Sequence, residues 1–159
     1  MPLSKDIYVN RLGAEGVHEA IVAPLGSAVT VYAGSIALSR AGYLANSAIP
    51  QSTDVVLGLI GEPAGGTYVK TGPGIVGNGS QGANGVWVEI LTGSFILASG
   101  TGADALAETD VGASVYVIDE QTVGKTSGTA TRPVAGILLP IDPTIPSGFV
   151  PIQFTNRGT

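Results

Sequence analysis

The sequence predicts an all-β protein: a compact β-barrel or β-sandwich with an extended N-terminal arm and a proline-rich, extended C-terminal segment. Three observations predict it. The 159 residues include 24 glycines and 10 prolines, which helix interiors tolerate poorly and turns favour. Short runs of β-branched and aromatic residues alternate at period two between clusters of Gly, Pro, Asn and Asp. No apolar pattern of helical period persists beyond about two turns, and no repeat of solenoid period is visible.

The strongest local signal lies in residues 103–126. A polar turn, Glu108-Thr109-Asp110, leads into residues 114–118, where Val115 and Val117 share one face and Ser114, Tyr116 and Ile118 the other. Asp119-Glu120-Gln121 supplies the turn of a β-hairpin, and residues 122–126 return.

The remaining elements follow in order. Residues 1–16 mix Lys5, Asp6, Arg11 and Glu15 with apolar residues at no clear period, and read either as a frayed terminus or as an arm that orders on a partner. The body is expected over 17–140. Its strands begin with 20–23 and 29–32. Residues 35–38 and 43–45 form a hairpin joined by Ser39-Arg40-Ala41-Gly42, whose glycine suits a tight turn. Residues 55–60 are nearly all apolar, as in a strand buried on both faces. Residues 62–85 are a glycine-rich, irregular insert with a possible strand at 67–70. In 86–91, Val86, Val88 and Ile90 oppose Trp87, Glu89 and Leu91, and residues 94–97 follow. Residues 134–139 form a last core strand closed by Pro140. The segment 141–159 carries Pro143, Pro146 and Pro151 and reads as extended, with 149–154 an added edge strand.

Composition narrows the function. Net charge is −5 with a pI near 4.6, which disfavours a phosphate-backbone partner. With no cysteine, neither a disulfide framework nor a thiolate metal site is available. Mean hydropathy is +0.37, yet no apolar run approaches the roughly 18 residues of a membrane helix. The N-terminus lacks an apolar export signal, so synthesis in the cytoplasm is expected. Only 12% of residues are charged against 44% hydrophobic, a balance that predicts self-association. Ile141, Ile145, Phe149, Ile152 and Phe154 lie in a segment that looks too proline-broken to be a core element. Ile145, Phe149, Ile152 and Phe154 are therefore candidate interface residues, together with Trp87.

The motifs that carry chemistry lack their context. Residues 72–77 spell G-x-G-x-x-G, but Asn78-Gly79-Ser80 follows where a helix must open on the pyrophosphate. Gly124-Lys125-Thr126 resembles the end of a P-loop, but Asp119 stands at the first glycine. His18, the single histidine, has no nucleophile elbow to serve. Asp104, Glu108, Asp110, Asp119 and Glu120 form an acidic cluster without Ca²⁺-loop spacing, and turn chemistry accounts for it. No enzymatic activity, cofactor or metal is expected. Trp87 with Tyr43, Tyr68 and Tyr116 leaves a sugar-stacking platform as the alternative, a carbohydrate-binding or adhesin module.

Read in order, several segments resemble a family. They are Tyr32-Ala33-Gly34-Ser35-Ile36, Ala41-Gly42-Tyr43, Val56-Leu57-Gly58-Leu59, Gly93-Ser94-Phe95 and Ala135-Gly136. The strongest is Asp110-Val111-Gly112 with Val115-Tyr116-Val117, Asp119 and Thr122-Val123. Together they resemble the small head decoration, or cement, proteins of tailed bacteriophages, over roughly residues 29–141. The resemblance implies a virion structural protein on the outer surface of the capsid, often a homotrimer, bound to the major capsid protein. It also implies that the N-terminal segment makes that contact, which nominates Leu3, Lys5, Ile7, Tyr8, Val9 and Arg11. The insert at 62–85 and the extension after Ile141 depart from the short form of the family.

Overall fold

The computed structural model describes residues 20–64 and 72–155. The arm, with its six candidate contact residues, His18, Tyr68 and the possible strand at 67–70 lie outside the described residues. Among those described there is no α-helix, only strands and single 3₁₀ turns at Gly82–Asn84, Gly102–Asp104 and Glu108–Asp110. The all-β expectation holds.

Seven strands lie in the first half of the chain: β1 (Ala20–Pro24), β2 (Thr30–Val31), β3 (Ile36–Arg40), β4 (Tyr43–Ala45), β5 (Val55–Ala64), β6 (Ile75–Val76) and β7 (Trp87–Leu91). Five of them form an antiparallel sheet in the order β1-β7-β5-β3-β4. This sheet curls until its two outer strands meet at one parallel bridge, Leu25 to Leu44. The β3–β4 hairpin turns through Ala41 and Gly42, whose φ of 52° and 87° match the right-handed twist of the flanking strands. The ribbon β2–β6 lines one end of the enclosed core, where Val31 and Ile75 join Leu25, Leu44, Ile60, Val88 and Ile90.

That ribbon corrects two expectations. The strand at 29–32 shrinks to Thr30–Val31 because its partner, Ile75–Val76, is itself only two residues long. The insert is also not wholly outside the core: Glu62, Pro63 and Ala64 continue β5, and Ile75 is fully buried.

The second half supplies β8 (Ser94–Ser99), β9 (Ser114–Val117), β10 (Thr122–Gly124), β11 (Val134–Leu138) and β12 (Phe149–Phe154). They close a barrel in the order β10-β8-β12-β11-β9. The predicted hairpin is present, with Val123 opposite Val117 and both side chains fully buried. Asp119 fixes its turn by accepting the Gln121 and Thr122 N–H groups at 3.0 and 2.9 Å. The last strand departs from expectation: β12 is not an edge but a stave hydrogen-bonded to β11 on one side and β8 on the other. Pro151 is tolerated because its carbonyl accepts the Leu139 N–H, just past the last paired residue of β11. The missing donor therefore falls where that ladder ends.

The two halves repeat one another. Gly34 and Gly112 adopt φ of 85° and 86°, a region where only glycine is unstrained. Gly34 donates to the Ile60 carbonyl at 2.8 Å, and Gly112 donates to the Leu138 carbonyl at 2.8 Å. The return bonds, Ile60 to Ser35 and Leu138 to Ala113, also match. Leu25 donates to Val86 as Ser99 donates to Gly148, and Gly26 to Leu44 as Gly100 to Val123. The Leu25–Leu44 bridge corresponds to the parallel pairing of Ser99 with Val123. A bulge interrupts β3–β5 at Ala37/Leu38 and β9–β11 at Val134/Gly136. At both bulges a glycine meets the neighbouring strand: a Cβ on Gly58 would strike the Leu91 carbonyl oxygen, and one on Gly136 the Gln153 carbonyl oxygen.

The halves meet asymmetrically. Ile36, Leu38, Val56, Leu59 and Leu91, on the outer face of the curled sheet, join the barrel's own core. That core includes Phe95 and Phe154, whose rings lie 5.9 Å apart, and Val117. The Ile36 N–H donates to the Glu120 carbonyl at 2.7 Å, which places the contact at the barrel end carrying the β9–β10 turn. At roughly 1.5–3 kcal/mol for each large side chain buried, this contact is a main source of cohesion.

Candidate functional site

The acidic cluster does not converge on a point; Asp104 and Asp110 tie neighbouring loops together, and Asp119 fixes its own turn. Asp104 follows β8 and accepts the Thr126 hydroxyl at 2.6 Å, the Thr126 N–H at 3.1 Å and the Arg132 guanidinium at 2.9 Å. The Thr126 hydroxyl bond, helped by Arg132 and opposed by desolvation, holds the Asp104 carboxyl below the usual carboxylate range. Asp110 accepts Lys125 Nζ at 2.6 Å and the Ala107 N–H at 3.0 Å, and Lys125 is the main cause of its lowered pKa. Together these bonds tie the loops after β8, before β9 and after β10. Glu108 lies exposed, and Glu120 is buried at 1% exposure within the β9–β10 turn. Among the described residues no group of three or more His, Cys, Asp or Glu is placed to hold a metal ion.

The curled sheet has a clamp of its own. Arg40 on β3 donates two bonds of 2.8 Å to Asp54, whose side chain is fully buried and also accepts the Gln51 N–H. Asp54 is the first cause of the raised Arg40 pKa. The pair fixes the loop that feeds β5, and is structural.

The G-x-G-x-x-G letters contain β6. A Cβ on Gly77 would strike the Gly26 carbonyl, and the next turn is the short 3₁₀ turn at Gly82–Asn84. Gly77 therefore packs backbone on backbone, and the segment opens no helix toward a phosphate. No helix among the described residues is long and apolar enough to cross a membrane.

Candidate binding residues divide into two groups. Ile152 and Phe154 are 0% and 7% exposed inside the barrel, so their apolar surface is spent within the chain. The idea that the proline-bearing segment cannot be a core element is thereby corrected: one proline sits in β12 and two lie in the loop before it. Trp87 and Phe149 occupy equivalent positions at the starts of β7 and β12 and are 36% and 44% exposed. The Trp87 indole N–H donates to the Gly82 carbonyl at 2.9 Å, and its cross-strand neighbours are Pro24 and Ala64. Tyr43 and Tyr116 are half-buried on β4 and β9. Phe149, Ile145, Ile141 and Leu106 line a cleft of about 320 Å³ at the barrel end opposite the curled sheet.

Sequence reasoning missed Ile21 and Val55, which are 41% and 42% exposed. Their apolar strand context signals burial; only the open end of the curled sheet leaves them bare. Comparison with known proteins finds no family model, no curated protein and no solved structure that matches this chain.

Proposed function

We propose that this protein is a virion structural protein that decorates and stabilises the outer surface of a tailed-phage capsid by binding the major capsid protein. The observation that carries the reading is where the exposed apolar surface sits. Val22, Trp87 and Phe149 are mounted on paired strands, so a partner meets side chains on ordered backbone at little ordering cost. Asp104, Asp110, Lys125 and Arg132 of the second half are meanwhile engaged in tying loops. A glycan site built on Trp87 is less well supported, because its indole N–H is engaged and its strand neighbours are aliphatic.

The mechanism is mass action. A protein that binds the assembled shell and not its free subunits stabilises the shell by RT ln(1 + [L]/Kd), about 2.7 kcal/mol per site at about one hundred times Kd. The N-terminal segment, with Leu3, Lys5, Ile7, Tyr8, Val9 and Arg11, makes the capsid contact, and the chain acts as a homo-oligomer, a trimer by family resemblance. Co-sedimentation with intact phage heads tests the reading. The full chain pellets with heads and raises their opening temperature, while a chain lacking residues 1–13 stays folded and binds more weakly. A full chain left in the supernatant at saturating concentration removes the proposal.

A further inference from the structure

We infer that Asn84 is a site of spontaneous covalent modification, its carboxamide converting to aspartate and isoaspartate in the folded chain and loosening the seat of Trp87. Geometry makes the assignment, because the sequence alone offers two equal Asn-Gly pairs, Asn78-Gly79 and Asn84-Gly85.

The chemistry needs no partner but water. The backbone nitrogen of the glycine attacks the asparagine Cγ, gives up its proton and closes a succinimide ring. The carboxamide nitrogen takes up a proton and leaves as ammonia. Water then adds to one of the two ring carbonyls, and the ring opens to aspartate or to isoaspartate, whose main chain runs through Cβ and Cγ. Glycine favours the step because no side chain shields its nitrogen. Two conditions remain: the carboxamide must be free to turn toward the chain, and the glycine N–H must be free of its acceptor.

Neither condition is met at Asn78. Its Nδ2 donates to the Asn84 carbonyl at 3.1 Å, and its Oδ1 accepts the Ser80 N–H at 3.0 Å. The latter is the local turn that asparagine makes with its own backbone. The Gly79 N–H donates to the Ser27 carbonyl at 3.0 Å, and the Gly77 N–H to the Val29 carbonyl at 2.9 Å. The segment is thereby pinned to the loop that enters β2. Asn46, followed by Ser47, is held in a similar way, donating to the Thr30 carbonyl and accepting the Ala48 N–H, both at 2.8 Å.

Asn84 differs. Its side chain is exposed, and no hydrogen bond among the described residues engages its carboxamide. It ends a single 3₁₀ turn that has no side-chain cap. One bond closes that turn, from the Gly85 N–H to the Gly82 carbonyl at 3.1 Å. The same carbonyl accepts the Trp87 indole N–H at 2.9 Å, so the glycine shares its acceptor. Local opening of this one turn releases the nitrogen. At Asn78 the carboxamide's own bonds and the bond to Ser27 must all break first.

The consequence falls on Trp87. Isoaspartate inserts a backbone carbon just before Gly85, and the turn that offers the Gly82 carbonyl to the indole loses its geometry. Either product also adds a negative charge beside Trp87, on a chain whose net charge is already −5. Trp87 is among the side chains assigned above to the partner surface. An effect on capsid binding rests on that reading; the modification itself does not.

Ageing the full-length chain in mildly alkaline buffer, followed by site-resolved mass spectrometry, tests the inference. Asn84 is expected to convert roughly tenfold or more faster than Asn78, because more hydrogen bonds hold the latter. In urea both pairs are expected to convert at similar rates, since only the fold distinguishes them. Trp87 is the single tryptophan, so its fluorescence reports the second step. Its emission shifts in step with conversion in the wild type and stays constant in Asn84→Gln. Native conversion of Asn78 as fast as that of Asn84 overturns the assignment. A native Asn84 that persists after the unfolded chain has converted overturns it too. Emission unchanged at full conversion overturns the link to Trp87. None of these outcomes bears on co-sedimentation with phage heads.

Discussion

The curled sheet and the closed barrel share strand order, bulge and turn glycines, yet they fill their ends in opposite ways. The curled sheet admits the β2–β6 ribbon into one end and leaves Ile21 and Val55 bare at the other. The barrel has its turn end covered by the curled sheet and keeps a cleft of about 320 Å³ at its far end. Backbone topology is thus held in common, and side chains at matched positions decide what each half contacts. Leu38 faces the chain's own core where Tyr116 faces outward. The same strand pair serves as internal joint in one half and is only partly buried in the other.

The largest expected effect tests what the halves share. Gly58→Ala and Gly136→Ala each drive a methyl group into a neighbouring strand's carbonyl oxygen, and Gly58 also sits at a φ of 153°. Each is expected to cost more than about 4 kcal/mol, enough to remove most of a small protein's stability. Urea unfolding measures it. A Gly136→Ala variant that melts like the wild type shows that the β11–β12 approach is not fixed by the bulge.

A second pair tests what differs. Val117 is fully buried and its counterpart Ser39 is half-buried at the open end. Val117→Asp buries an unpaired carboxylate and is expected to cost several kcal/mol, roughly 3 or more, while Ser39→Asp costs below about 1. Equal losses in thermal melting contradict the open end.

Much of this fold was legible in the sequence, because its strands obey local rules. Val115 and Val117 alternate with Ser114 and Tyr116, Asp119 caps the turn it was expected to make, and Ala41-Gly42 takes the twisted turn its glycine suggests. What escaped was long-range. Pro151 suggests an edge, but only the end of the β11 ladder makes its missing N–H harmless inside a barrel. Ile75 sits among glycines, and its burial depends on Val31, which lies far off in sequence. The duplication left faint traces, Val56-x-Gly58-Leu59-Ile60 beside Val134-x-Gly136-Ile137-Leu138, and Trp87-Val88-x-Ile90 beside Phe149-Val150-x-Ile152. They join the shared glycine to core positions such as Val88 and Val150, while other outward positions differ, as Leu38 and Tyr116 do. The candidate surfaces were half legible: Trp87 and Phe149 are exposed, whereas Ile152 and Phe154 are core.

The next comparison concerns the joint itself. Leu59 is 1% exposed between the halves, and its counterpart Ile137 is half-buried on the barrel's outer face. Leu59→Ala is expected to cost about 2–5 kcal/mol, and Ile137→Ala about half of that or less in a dilute, monomeric sample. Urea unfolding of both variants measures the difference. Equal losses would show that Ile137 is packed as tightly as Leu59.

The smallest effect separates the halves by pH. The carboxylates held below their usual range, Asp104 by Thr126 and Arg132 and Asp110 by Lys125 and the Ala107 N–H, serve the loops of the barrel. A lowered folded pKa means that the unfolded chain takes up the proton more readily. The stability these groups contribute is therefore complete above the unfolded value, near 4, and is lost as pH falls through the lowered folded value. The Arg40–Asp54 clamp of the curled sheet acts differently on its arginine, whose pKa is raised. That contribution is present throughout the acid and neutral range and is lost only at extreme alkaline pH. For Asp104, whose side chain is 19% exposed and sits at the surface, the loss is at most about 1 kcal/mol after solvent screening. Hydrogen exchange at pH 3 against pH 6 is expected to lose protection first at Ala113 and Lys125, beside the loops these carboxylates tie, and later at Ser35 and Ile60. Asp104→Asn should remove part of that difference while changing the neutral-pH melt little. Loss of protection at the same pH in both halves would show that the ion pairs of the barrel do not set its acid limit.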